Sequence, residues 1–212
     1  MLGNPPRIRQ DHRQRCGVLA GGEVLIGLTA PLSEDAVRSL KVGDTCYLNG
    51  PVITGRDELH IRALEYDMQG KEVPKDLDGS VLYHCGPIMR QREDGSWAVV
   101  AAGPTTSARM NKLEPDFIRR FHIRAVIGKG GMSKETIDAM KEVGCVYLAA
   151  TGGAAVSLAE GLRKCTGVDW LDLGMAEAMW RFDTEKLGPL VVAIDANGNS
   201  LYDQVNKNLV RP

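Results

Sequence analysis

The sequence predicts an α/β fold built on a mixed sheet. Apolar, strand-like runs alternate along the chain with stretches of helical periodicity. Glycine, abundant at 24 residues, punctuates them together with proline. Polar turns ("REDGS", "ANGN") inside two apolar stretches mark antiparallel hairpins within the sheet.

The elements follow in order. "GEVLIGLTA" (22–30) alternates as a strand, and "PLSEDAVRSLKVGD" gives a short helix with Ser33 as its N-cap and Gly43 at its end. "TCYLNGPVITG" (45–55) is a strand, and residues 56–70 form a helix with Leu59, Arg62, Ala63 and Tyr66 at helical spacing. "SVLYHCG" (80–86) is a strand and 87–103 a hairpin. A helix from Glu114 to Phe121 precedes the buried strand "RAVIG" (124–128). "SKETIDAMKEVG" (133–144) is a helix capped by Ser133 and stopped by Gly144. Residues 145–153 repeat the strand-then-glycine pattern, with "AAVSLAEGLRKC" helical after it. "GPLVVAIDANGNSLYDQV" (188–205) reads as strand, turn and second strand. Residues 1–20 read as a flexible, polar extension, and 21–212 as one domain.

Composition narrows the function. Lys and Arg total 26 against 27 Asp and Glu, a balance unlike that of a nucleic-acid binder. Five widely spaced cysteines without a C-x-x-C argue against a disulfide framework or a complete zinc site. No apolar run is long enough to span a membrane, and the N-terminus lacks a signal-peptide core; a cytoplasmic location is expected.

Three stretches share one layout, an apolar strand followed by a turn carrying a cation: "VITGRD", "VVAAGPTTSARM" and "AVIGKGGM". Ligands of open α/β sheets bind outside the carboxyl ends of the strands. Side by side, these strands would bring Arg56, Arg109 and Lys129 together, and such cations repel one another unless an anion joins them. A dicarboxylate or a phosphate would serve, and arginine offers the matching fork. Each piece alone also reads as ordinary turn chemistry. "GRD" suits a surface ion pair, "GKGG" lacks the Walker spacing, and "GPTTS" suits a capping turn. Adjacent His84 and Cys85 point to opposite faces of a strand and so make a poor nucleophile pair.

Taken together, "TGRDELH", "HCGPI", "GPTTSARM", "IGKGGM" and "GPLVVAIDANGNSLY" resemble the β subunit of the class I iron–sulfur hydro-lyases, the family of class I fumarases and L(+)-tartrate dehydratases. The resemblance runs over residues 22–205 and implies a swivelling β/β/α domain. It implies an α-subunit partner in an α2β2-type hetero-oligomer, with a [4Fe–4S] cluster held by that partner and no metal ligand here. It also implies that Arg56, Arg109 and Lys129 hold substrate carboxylates and that Thr105 is the catalytic base. His60, of the R-D-x-x-H pattern, would be an acid/base or orienting group. The implied reaction is hydration of fumarate to malate, with tartrate dehydration as the alternative. A non-catalytic anion-binding module of the same fold is the reading from a different class; it has no need of the three cations and Thr105.

Overall fold

The apolar alternation read along the strands becomes a sheet with both faces covered. A computed structural model describes residues 13–18, 24–150 and 155–208. In chain order the elements are β1 (Arg13–Val18), β2 (Val24–Thr29), α1 (Glu34–Arg38), β3 (Thr45–Thr54), α2 (Asp57–Met68), β4 (Val81–Tyr83), β5 (Ile88–Gln91) and β6 (Trp97–Ala101). There follow α3 (Glu114–Phe121), β7 (Ala125–Gly128), α4 (Lys134–Val143), β8 (Val146–Ala150), α5 (Ala155–Gly161), β9 (Leu162–Asp169), β10 (Met179–Ile194) and α6 (Leu201–Asn208).

Eight strands form one mixed sheet in the order β1-β2-β3-β4-β7-β8-β10-β9. The pairs β2–β3, β3–β4, β4–β7 and β7–β8 are parallel, whereas β10 runs antiparallel to β8, β9 and β3. Because β3 also pairs with β10, the pairings β3-β4-β7-β8-β10 close into a ring. The hairpin β5–β6 stands apart as a second, two-stranded sheet.

The two-residue period of the strands builds two cores. Val81, Tyr83, Ala125, Ile127, Val146 and Leu148 face one core. The intervening Leu82, Val126 and Tyr147 face the other, under Leu59 of α2, Phe117 of α3 and Met140 of α4. Local chemistry sets the helix ends. Ser33 and Ser133 accept hydrogen bonds from Ala36 and Thr136 at the starts of α1 and α4. Gly144 ends α4 with φ 78°, a left-handed conformation that glycine adopts without a Cβ clash.

Three sequence expectations are corrected. "SLYDQV" is not a strand: the Asp195 side chain ties the "DANGN" turn, only Ser200 bridges back to Ile194, and α6 begins at Leu201. The helix read in "AAVSLAEGLRKC" ends at Gly161, and β9 follows because a long antiparallel partner, β10, is there to pair with it. β10 itself starts at Met179, upstream of the strand read from "GPLVVAI". Of the stretch read as an N-terminal extension, Arg13–Val18 forms β1 against β2, and residues 1–12 and 19–20 lie outside the described residues. Residues 151–153, read as the glycine turn after the β8 strand, and Ala154, read as helical, also lie outside them.

Candidate active site

The carboxyl ends of β3, β4 and β7 lie next to one another, and each runs into a loop singled out above. β3 ends at Thr54, and Gly55 and Arg56 lead into α2. "GPTTSARM" does not extend the main sheet through β6. It threads across the ends of β4 and β7 instead. Pro104 bridges Cys85, Thr106 bridges Lys129, and the Thr105 amide donates to the His84 carbonyl at 2.7 Å. The Ser107 amide donates to the Lys129 carbonyl at 3.0 Å, and Ser107–Met110 closes as a 3-10 turn that presents Arg109.

Arg56 is the N-cap residue of α2 and is half-buried; one of its terminal nitrogens lies 3.2 Å from Glu177 Oε1. Its buried Nε–H has no hydrogen-bond partner. Arg109 is exposed and lies 3.1 Å from Asp57 Oδ2, so Asp57 sits between the two arginine-bearing loops. That contact is electrostatic, since Asp57 Oδ2 makes no hydrogen bond. Lys129 joins through its backbone bridge to Thr106 and has no ion pair among the described residues. The three cations are therefore not left to repel one another, as the sequence alone suggests. Glu177 and Asp57 offset two of the three cations, and the local balance is one positive charge. What still points to a ligand is the unsatisfied Arg56 Nε–H and the unpaired Lys129.

His60 is fully buried and lies behind this surface. Its Nδ1 is 2.7 Å from the Arg56 carbonyl, so Nδ1 carries a proton and donates it. Its Nε2 is 3.1 Å from Glu114 Oε2. His84 Nε2 approaches the same oxygen at 3.0 Å, without good hydrogen-bond geometry. On its other side His84 Nδ1 is 2.9 Å from Ser107 Oγ, which accepts the Tyr147 hydroxyl at 2.9 Å. Ser107 then has its own proton to donate to His84 Nδ1, which leaves the His84 proton on Nε2, facing Glu114. Burial alone pushes the Glu114 carboxyl up, but His84 and His60 outweigh it and hold it well below the ordinary carboxylate range. Burial likewise pushes His60 down, and Glu114 more than reverses this, so its pKa is raised. Gly128 makes room for the assembly: a Cβ there would lie 1.9 Å from Ser107 Oγ.

The His60 ring is fully buried and is held between the Arg56 carbonyl and Glu114. Sequence reasoning missed Glu114, His84, Ser107 and Glu177. Glu114 looked like an ordinary first-turn acid of α3, and nothing in the spacing links it to residues 54 and 30 positions away. Cys85 is no nucleophile: burial pushes its thiol up to about 12 despite the nearby Arg56.

His60, His84 and Glu114 are the one group of metal-competent side chains found among the described residues, with ligand atoms within 4.8 Å of one another. The 3.1 Å contact is an imidazole hydrogen-bonded to a carboxylate, and the 3.0 Å one is a close approach to the same oxygen. The described cysteines do not fit an iron–sulfur cluster, because Cys46, Cys85 and Cys145 are buried in the cores and no three-thiolate group forms. A cavity of about 460 Å³, lined by Pro51, Asp76, Ser80 and Arg181, lies at the amino end of β4, away from these loops.

The family model described as Fumarase C-terminus matches residues 5–205. A chain provisionally named L(+)-tartrate dehydratase subunit beta, from Methanocaldococcus jannaschii, is 48% identical over 179 residues, covering 84% of this chain and 91% of that relative. The L(+)-tartrate dehydratase subunit beta of Escherichia coli K12 is 37% identical over 182 residues, covering 86% and 88%. A protein provisionally named fumarate hydratase class I, from Geobacillus stearothermophilus, is 45% identical over 184 residues, which span 87% of this chain and 35% of that longer relative. With the loops of Arg56, Thr105, Arg109 and Lys129 at adjoining strand ends and the match spanning nearly the whole sequence, this chain belongs to the fumarase C-terminal family.

Proposed function

We propose that this chain is the β-type subunit of a hydro-lyase that adds water reversibly to a four-carbon dicarboxylate, fumarate to malate being the leading reaction. The observation that carries this reading is the meeting of four loop residues at the carboxyl ends of β3, β4 and β7. Arg109 pairs with Asp57, the residue next to Arg56 in the chain, and Thr105 and Lys129 are joined by paired backbone. In this reading the arginine forks hold the substrate carboxylates and Lys129 adds a point charge. Taking a proton from the carbon beside a carboxylate creates a second negative charge on that group. Cations already fixed in place stabilise that charge more in the transition state than in the ground state.

Thr105 is the proton acceptor of the proposal. Its backbone is fixed on both sides, by the His84 carbonyl and the Lys129 amide. Its hydroxyl makes no hydrogen bond to another described residue, which leaves it available to substrate. A threonine hydroxyl is a weak base, and the neighbouring cations would favour its ionised form. Among the described residues of these loops we assign none to the departure of the substrate hydroxyl. In the proposal that part falls to an α-type partner with a [4Fe–4S] cluster, whose open iron would supply Lewis-acid chemistry.

A second reading, tartrate dehydration, is favoured by one observation. The two tartrate-named relatives match this chain over 91% and 88% of their length, whereas the fumarate-named one matches over 35%. Anaerobic co-expression with an α-type partner, followed by assay of fumarate, malate and tartrate, separates the two. Inactivity on all three with an intact cluster would remove both.

A further inference from the structure

We propose that Glu114 is a positioning residue of the site: through His60 and His84, its buried carboxylate fixes the backbone on which Arg56 and Thr105 stand. The geometry runs outward from one oxygen. Glu114 Oε2 meets His60 Nε2 at 3.1 Å and His84 Nε2 at 3.0 Å. His60 reaches on through Nδ1 to the Arg56 carbonyl at 2.7 Å. His84 reaches on through its own carbonyl to the Thr105 amide at 2.7 Å. Glu114 itself opens α3, just after the turn that presents Arg109. One side chain thus ties the β3–α2 loop, the end of β4 and the start of α3.

Stability alone is a poor reason for this arrangement. A buried ion pair often stabilises no more than apolar residues of the same volume. Its specific effect is geometric, because a charged carboxylate fixes two rings whose far sides hold the site loops. Glu114 is faced by His60 from α2, His84 after β4, Cys145 before β8 and, through Ser107, Tyr147 on β8; His60 also feels Asp57. Among the described residues no arginine or lysine side chain enters this set, so protonated His60 is its counter-charge and His84 turns a neutral Nε2–H toward it.

The activity arm of the test rests on the hydro-lyase reading; the spectroscopic arm does not. Nitrogen-15 NMR of the full chain at neutral pH should show both ring nitrogens of His60 protonated. In Glu114→Gln the His60 imidazolium should vanish, and the Asp57 and Thr105 amide resonances should move. In the enzyme assembled with its α-type partner, Glu114→Gln should lower kcat/KM by about 100-fold, the scale of a 1 Å misplacement. Ile118→Val, which loosens the same helix without touching the charge, should keep wild-type kcat/KM and the imidazolium. Wild-type kcat/KM in an active Glu114→Gln enzyme would overturn the proposal. So would a neutral His60 in the wild-type chain, an unmoved Thr105 amide in the variant, or stoichiometric zinc on the wild-type chain that Glu114→Gln abolishes. Should the assembled wild-type enzyme be inactive on every dicarboxylate, the hydro-lyase reading fails and the NMR result alone decides the role of Glu114.

Discussion

Arg109 shows how little a formal charge says without its partner. Its side chain is 53% exposed and its guanidinium touches Asp57 on one side, leaving the rest of the fork free. Arg109→Lys keeps the charge but loses the second parallel hydrogen bond, so kcat/KM of the assembled enzyme should fall about tenfold or more. An unchanged value would exclude a bidentate contact. Thr105→Ala removes the proposed base without disturbing the backbone pairing that holds it. It should lower kcat with little change in substrate affinity; wild-type turnover would end the base role. The buried pair makes a separate prediction about pH. Glu114 is lowered in the fold, so its contribution is present above its ordinary value of 4.5 and is lost as pH falls through the folded value. His60 is raised, so its contribution is present below its ordinary value of 6.5 and is lost as pH rises through the folded value. Tm should therefore be highest between those two ordinary values as far as this pair is concerned. Glu114→Gln should flatten both limbs and lower stability by about 3 kcal/mol, since it leaves buried His60 without its counter-charge. Unaltered limbs in Tm against pH would show that other groups set them.

At the scale of elements, the helices that flank the site are stopped and started by single residues. Ser133 caps α4 by accepting from the Thr136 amide, and its own amide donates to Asn111 Oδ1, just past the Arg109 turn. Ser133→Ala should cost about 1 kcal/mol, read as a lower midpoint in chemical denaturation with an unchanged slope. No change in midpoint would mean that water replaces the cap. The "GPTTSARM" segment is the element whose role depends most on its neighbours. Pro104 and Thr105 continue the β5–β6 pairing back to Cys85 and His84 at the end of β4, and Thr106 then bridges Lys129 at the end of β7. That insertion brings Thr105 and Arg109 to the strand ends that Arg56 and Lys129 already occupy.

At the scale of the molecule, the closed run of pairings β3-β4-β7-β8-β10 fixes three strand ends as one surface, and the helices α2, α3 and α4 cover the second core beside it. Among the described residues no helix is long and apolar enough to cross a membrane. The described cysteines form no cluster site. The full chain by itself should therefore bind a dicarboxylate weakly and show no turnover, and addition of an α-type partner should restore it. Steady-state assay of the isolated chain and of the mixture checks this, and turnover by the isolated chain would refute the shared-site proposal.

The sequence by itself determined the α/β class, most strands and helices, and the loops of Arg56, Thr105, Arg109 and Lys129. Those features are local: period-two and helical spacing, serine caps, glycine stops and short motifs all lie within a few residues. The tertiary structure alone decided what depends on distant pairing. β9 exists because β10 is long enough to take it, and "SLYDQV" turned helical because only Ser200 found a strand partner. The same holds for the counter-charges Glu177 and Asp57, and for the buried His60–Glu114–His84 group. A carboxylate in a helix's first turn looks alike in sequence whether it caps that helix or, once buried, meets two imidazoles. Which of these it does is set by the elements packed against it.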